Sequence, residues 1–262
     1  AHDRAAAYPR FNGVIAWCAF EYGSPQNSHK GVKNPGVYDQ FRLPKIGGTF
    51  YRAQVDPAKE IVIAPNFYWD FGSSQPKGPG KGASIFSNCE RLEVFVGDKH
   101  HATLKADHAG YPQTKYPPFF VDLEMDEAEK SELRIEGFLG EKKVAEHRML
   151  ADASHDQFLV DVLDATIIAD GADATRVAFR VADKFGNDRQ FAGGSVSFAL
   201  EGPGVLVGDN PFNLTEAAGV GAVWVKSLVG KVGAMTLKVT HDKLGSRTVS
   251  VRVVRDTQKR LA

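Results

Sequence analysis

Cysteine is scarce in this chain, with Cys18 and Cys89 the two thiols among 262 residues. They stand far apart in apolar, strand-like surroundings. That excludes a disulfide framework and reads as two buried free thiols. No Cys-x-x-Cys or His-x-x-x-His spacing occurs, so no zinc site is expected. His100 and His101 are adjacent on a predicted strand and point to opposite faces, and with His108 they make a poor chelator. Gly78-Pro79-Gly80-Lys81-Gly82 lacks the spacing and the hydroxyl residue of a phosphate loop. No cofactor is therefore expected. No apolar run approaches the roughly 20 residues needed to span a bilayer. Excess charge of either sign is also missing, since 32 Lys and Arg balance 32 Asp and Glu. The chain thus carries no field for neutralising nucleic-acid phosphates, nor the composition of an acidic disordered tail. The opening Ala1-His2-Asp3-Arg4 does not have the basic-then-apolar layout of a signal peptide. The expectation is either a cytoplasmic chain or one whose true start lies upstream.

Glycine (26) and proline (13) punctuate short apolar segments throughout. The polar stretches Gly72 to Gly82 and Asp152 to Asp156 look like soft points, and the first is expected to hold neither helix nor central strand. After the second, runs at 160–168, 176–181, 194–200, 205–208, 222–228, 234–240 and 248–254 read as strands. Several alternate with period two, as in Thr175-Arg176-Val177-Ala178-Phe179-Arg180-Val181. Asp183-Lys184-Phe185-Gly186-Asn187 and Glu201-Gly202-Pro203-Gly204 supply turns. This is an immunoglobulin-like sandwich pattern without the antibody Cys…Trp…Cys spacing. The middle third reads as β at 61–64, 84–86, 91–96, 101–105, 119–125, 132–138 and 141–149, with a helical turn at 126–131.

The first sixty residues differ. Gly13-Val14-Ile15-Ala16-Trp17 is a continuous apolar run, as in a strand buried on both faces. A polar Gly/Pro loop follows from Gly23 to about Asp39, then a predicted helix at 44–54 with Pro at its first turn. One such βα unit cannot satisfy its own backbone edges, so it reads as the tail of something larger.

Three segments make the pattern specific: Gly13-Val14-Ile15-Ala16-Trp17-Cys18-Ala19-Phe20-Glu21-Tyr22, then Gly36-Val37-Tyr38-Asp39-Gln40-Phe41-Arg42-Leu43-Pro44-Lys45, then Phe50-Tyr51-Arg52-Ala53-Gln54. They resemble the last βα unit of the catalytic barrel in glycoside hydrolase family 2, with Glu21 where that family more often has Asp. The stretches around Asp170, Asp183 and Glu201 to Asn210 resemble the terminal immunoglobulin-like domain of bacterial β-galactosidase-type members. The resemblance implies a mainly β chain: the terminal βα unit of a (β/α)8 barrel at 1–60, an accessory β-sandwich at 61–155, and an immunoglobulin-like sandwich at 156–262.

It also implies a retaining exo-glycosidase parent that acts on terminal β-galactosides. Two carboxylic acids about 5–5.5 Å apart do that chemistry. In the family they sit on barrel strands four and seven, upstream of strand eight. No Asn-Glu pair occurs here to supply the usual acid/base motif, so no catalytic residue is assigned and the isolated chain is expected to be inactive. The substrate-binding candidates are Trp17, Glu21 and Tyr22. Trp17 would stand at the active-site face of the barrel, either as a flat platform for a sugar or packed in the barrel core. In related barrels the peptide after this Trp is cis, which is expected here at Trp17–Cys18. Glu21 could accept hydrogen bonds from sugar hydroxyls or anchor the loop through Arg42, and Tyr22 could wall the site or pack the loop. Asn27 to Gly36 is a basic loop placed to overhang the site, but it lacks the Asn-x-Lys pair with which β-glucuronidases of the family bind a uronate. Arg42 is expected to be a structural brace. Tyr68-Trp69-Asp70-Phe71 would bind glycan or plug an interface with the barrel. Asn213-Leu214-Thr215 would be a glycosylation sequon only in a secretory eukaryote.

The expected partners are a carbohydrate and the remaining N-terminal and barrel part of the parent, with no nucleic acid and no membrane span. A homo-oligomer is left open. The compartment is open too, with periplasm or exterior preferred over cytoplasm. The competing reading is a carbohydrate-binding or adhesive module of tandem immunoglobulin-like domains, and a third is a structural spacer. The Trp17 to Lys45 segment separates them, because a binding module has no reason to carry it.

Overall fold

The computed structural model describes residues 1–24, 31–125 and 131–256. The chain divides into two compact units, Ala1–Ala151 and Asp152–Ala262. The soft point at 152–156 lies at the start of the second. The first sixty residues fall in the same unit as residues 61–151.

The first unit opens with helix α1 (His2–Ala6). The hairpin strands β1 (Tyr22–Gly23) and β2 (Val32–Lys33) follow, then a 3-10 turn (Ile46–Gly48) and helix α2 (Thr49–Arg52). Its sandwich is built from β3 (Ile63–Pro65), β4 (Gly80–Ser87), β5 (Arg91–Val96), β6 (Lys99–Lys105), β7 (Phe119–Leu123), β8 (Glu132–Leu139) and β9 (Lys142–Leu150). A three-stranded sheet, ordered β3-β4-β7, faces a four-stranded sheet, ordered β6-β5-β8-β9. Alternation decides which side chains turn inward. In β7, Phe119, Val121 and Leu123 are buried while Phe120 and Asp122 are not. Across the gap they join Leu92, Val94, Leu133, Ile135 and Met149 in one apolar cluster.

The second unit comprises β10 (Gln157–Val162), β11 (Thr166–Ile168), β12 (Ala174–Ala182), β13 (Ser195–Glu201), β14 (Gly204–Val207), β15 (Phe212–Asn213), β16 (Val220–Ser227), β17 (Gly233–His241) and β18 (Gly245–Val254). They form sheets ordered β10-β12-β16-β14 and β11-β18-β17-β13-β15. Phe179 meets Phe198 and Phe212 at ring-centroid distances of 5.3 and 5.1 Å, which joins the two sheets through aromatic contact. The predicted turn at Asp183 closes on its own side chain, which accepts from the Phe185 and Asn187 amides at 2.8 and 2.9 Å. Buried Arg189 pairs with Asp156 at 2.7 Å, so the polar stretch after residue 151 is tied into the sandwich.

Several expectations are corrected. The run 160–168 is two strands, not one. β10 ends at Val162, and β11 crosses to the other sheet and pairs parallel with β18. The Gly-rich stretch 72–82 does enter a strand at its end: β4 begins at Gly80, which pairs with Leu123 of β7, whereas its β3 partners begin only at Ile85. Gly80 and Gly82 have φ of 80° and 64°, conformations open to glycine, and the register shifts between Gly80 and Ala83. Trp69 is 2% exposed, in the sandwich core, and donates to the Ser131 carbonyl at 2.7 Å. It is therefore neither a barrel plug nor a glycan contact. The predicted helix at 44–54 is only the 3-10 turn and α2. Residues 13–17 form no strand, and Ile15 is 93% exposed. An extended segment becomes a strand only where a neighbour completes its ladder, and no described residue does so here. Cys89 is buried as expected, and burial pushes its thiol pKa up, whereas Cys18 is half-buried. The helical turn expected at 126–131 lies almost wholly outside the described residues.

The outward face of the four-stranded sheet in the first unit carries paired charges. Glu146 accepts from Lys143 at 2.5 Å and also from Arg148, and these bonds bring its carboxyl pKa down to about 2. Glu93 is lowered as well. Burial pushes it up, but hydrogen bonds from Thr103, His100 and Arg91 outweigh that. Depressed carboxylates stabilise the fold above their unfolded pKa of about 4.3 and lose that contribution as pH falls through the folded value. The melting temperature of the first unit is therefore expected to drop between about pH 4.5 and 2. Glu146→Gln should flatten that drop, as read by circular dichroism melts across the range.

Candidate functional site

The three segments singled out in the first sixty residues come together around a short backbone core. The Glu21 amide donates to the Tyr38 carbonyl at 3.0 Å, the Tyr38 amide to Ala19 at 2.9 Å, and the Val37 amide to Cys18 at 3.2 Å. Residues 18–21 thus run parallel to 37–38, with Phe20 bridged to Tyr38. On its other side Tyr38 bridges Pro44 in the antiparallel sense, and the Lys45 amide donates to Val37 at 2.9 Å. Three chain segments therefore lie side by side, with 37–38 in the middle. Gly36 permits this. A Cβ there would fall well inside contact distance of the Glu21 nitrogen, the Tyr38 oxygen and the Phe20 carbonyl carbon.

Trp17 stands beside this core, 75% exposed, and its peptide to Cys18 is cis. Its indole Nε1 donates to the Tyr22 hydroxyl at 3.3 Å, and the two rings meet edge to face at 6.4 Å. The indole is thus oriented by Tyr22 and open to solvent, not packed in a core. The Glu21 side chain is 11% exposed and pairs with Lys45 at 2.7 Å. The expected Glu21–Arg42 pair is not what forms. Arg42 instead sits over the Phe20 ring at 4.1 Å and adopts φ 66° in a turn held by Asp39, whose Oδ1 accepts from the Phe41 and Leu43 amides at 2.8 Å each. The reason is reach: Lys45 is hydrogen-bonded to the segment next to Glu21, whereas Arg42 lies in a turn that carries it over Phe20. Sequence reasoning had Lys45 in the motif but gave it no partner, because the link spans 24 residues.

Of the three candidates, Trp17 and Tyr22 touch each other, whereas the Glu21 side chain turns to Lys45. Asn27 to Lys30 of the basic loop lie outside the described residues. His100 binds Glu93 at 2.7 Å and His101 the Asp122 carbonyl at 2.8 Å. No cluster of three metal-type ligands occurs among the described residues. The Asn213 side chain accepts from the Thr215 amide at 3.1 Å and so caps a turn.

The same segment is fastened to the sandwich of its own unit. Gln54 and Tyr116 exchange hydrogen bonds at 2.9 and 3.2 Å. The Asn88 side-chain Nδ2 donates to the Val55 and Glu60 carbonyls, and Phe50 packs edge to face on Phe86 at 5.5 Å. Asp3 accepts from the Gln113 amide at 2.8 Å.

Comparison with known proteins gives this geometry a context. Residues 160–250 match glycoside hydrolase family 2 C-terminal domain 5. The chain is 33% identical over 263 aligned residues to a β-galactosidase of Thermoanaerobacter pseudethanolicus, covering 95% of this chain and 34% of that protein. It is 29% identical to a β-galactosidase of Thermoanaerobacterium thermosulfurigenes, covering 79% of this chain and 30% of that one. Its fold matches a β-glycosidase from Bacteroides vulgatus with a TM-score of 0.77 at 17% identity, over 96% of this chain and 32% of that one. The chain spans about a third of the length of these curated relatives.

Gly36→Ala should break the close approach of residues 36–38 to 20–21. The expected outcome is a lowered melting temperature for the first unit and a shifted Trp fluorescence spectrum. Both are read by comparing the variant with the parent chain.

Proposed function

Because the chain matches the C-terminal part of glycoside hydrolase family 2 enzymes, we propose that it serves a retaining exo-glycosidase that removes terminal β-galactosyl residues. In this reading residues 1–60 supply the last βα unit of the catalytic barrel, and the two sandwiches that follow brace it. The catalytic acid/base and nucleophile lie elsewhere in the parent enzyme, about 5–5.5 Å apart as retention of configuration requires.

The observation that carries this reading is Trp17. A large indole held by Tyr22 yet open to solvent is costly to leave exposed, and it suits the apolar face of a pyranose. It stands at the end of a segment whose apolar side chains, Phe11, Val14 and Ile15, are also exposed and which joins no sheet among the described residues. A barrel neighbour would complete the ladder of that segment and leave the indole facing the sugar. Tyr22 orients the indole. Glu21, nearly buried and neutralised by Lys45, sets the strand end and is not a free acceptor for the sugar. β-Galactosides are favoured as substrate because the curated relatives named above are β-galactosidases. The absence of an Asn-x-Lys pair in this sequence speaks against uronides.

The test uses a chromogenic β-galactoside. The full-length enzyme should hydrolyse it, and the 262-residue chain alone should not. Trp17→Ala in the full-length enzyme should lower kcat/KM by about one to two orders of magnitude, the range expected for losing the burial of a large apolar side chain. Unchanged kcat/KM would remove Trp17 from the site. Turnover by the isolated chain would overturn the assignment of the carboxylates to the rest of the enzyme. An inactive full-length protein that is retained on a galactoside column would turn the assignment to a binding module.

A further inference from the structure

Lys45 is held in a way that its place in the sequence does not explain. Its backbone is bound to the middle of the three site segments, through Lys45 N to the Val37 carbonyl at 2.9 Å and the Pro44–Tyr38 bridge beside it. Its ammonium then crosses that segment. It meets Glu21 Oε1 at 2.7 Å on one side and the Asn34 carbonyl at 3.0 Å on the other. One side chain thus joins the segment that carries Trp17, Glu21 and Tyr22 to Asn34, the residue after β2. The Glu21 side chain it holds is 11% exposed. A shielded carboxylate that loses its cation must move toward water or recruit another donor. Glu21 is bonded through its own amide to Tyr38 and is followed directly by Tyr22, the hydroxyl of which fixes the Trp17 indole. Any shift of Glu21 therefore passes to the indole through one residue.

We infer that Lys45 is a positioning residue for the sugar platform. It does not contact the sugar. It sets the angle at which Tyr22 presents Trp17, by clamping Glu21 and the backbone at Asn34 at once. The inference rests on the proposal that Trp17 faces the sugar, and it adds a determinant of sugar affinity. Because misplacing a platform weakens binding while leaving the carboxylates untouched, the effect belongs in KM and not in kcat.

The experiment compares Lys45→Met, Lys45→Arg, Glu21→Gln, the Lys45→Met/Glu21→Gln double variant and Trp17→Ala in the full-length enzyme, with the chromogenic β-galactoside as probe. Active-site titration corrects for misfolded protein. Lys45→Met is expected to raise KM by about tenfold with kcat within about twofold. Lys45→Arg should recover most of the affinity, since a guanidinium keeps the charge. The double variant should be no worse than Lys45→Met alone, because the two side chains act as one clamp. A KM for Lys45→Met within about twofold of the parent overturns the inference, and so does a loss confined to kcat. If Lys45→Met raises KM while Trp17→Ala changes nothing, the platform reading fails and the clamp acts on some other contact. If Trp17→Ala is impaired and Lys45→Met is not, the platform stands and the clamp is wrong.

Discussion

Every extended backbone must find partners for its N–H and C=O groups, and this one requirement organises the whole chain. In both sandwiches it is met by antiparallel ladders whose inner faces exclude water. The second unit adds a parallel pair where β11 crosses to meet β18. The described residues at 12–16 meet it neither way. Val14, Ile15 and Ala16 among them are apolar and exposed, and all five lie outside any sheet. The same rule that makes the sandwiches self-contained makes this segment incomplete, and its incompleteness directs attention to what surrounds it.

Around that segment the local architecture is a stack of three short strands of chain, made tight by Gly36 and tied by Lys45. Backbone hydrogen bonds set the spacing, and side chains set the orientation: Tyr22 for the indole of Trp17, Phe20 for the guanidinium of Arg42. The anchoring to the adjacent sandwich through Gln54, Asn88 and Phe50 gives this small assembly a rigid base.

Charge follows the same division of labour. On the outward sheet face of the first unit, acids and bases alternate across strands and satisfy one another, as Glu136 does with Arg134 and with Lys143. Such pairs contribute modestly to stability and keep a flat sheet face from joining another. In the site the Lys45–Glu21 pair links chain segments 24 residues apart, and its geometry matters more than its energy.

Alternation and turn chemistry were enough to read both sandwiches from the sequence. A period of two along 175–181 and the Asp183 to Asn187 turn are local properties, and local properties survive folding. The contact between Trp17 and Tyr22 is local too, since five positions separate them on one chain segment. What the sequence could not determine is whatever depends on distant neighbours. It did not reveal that 160–168 divides between two sheets, because sheet membership depends on which strand lies alongside. Glycines 80 and 82 marked a break, yet β4 begins at them, because a bulge can absorb positive φ while β7 pairs on one side. Trp69 looked like a surface aromatic and is core, because its indole N–H finds a carbonyl 62 residues away. Glu21 chose Lys45 over Arg42 for the same reason: an ion pair forms where the backbone delivers the two charges, and only the tertiary structure decides where that is.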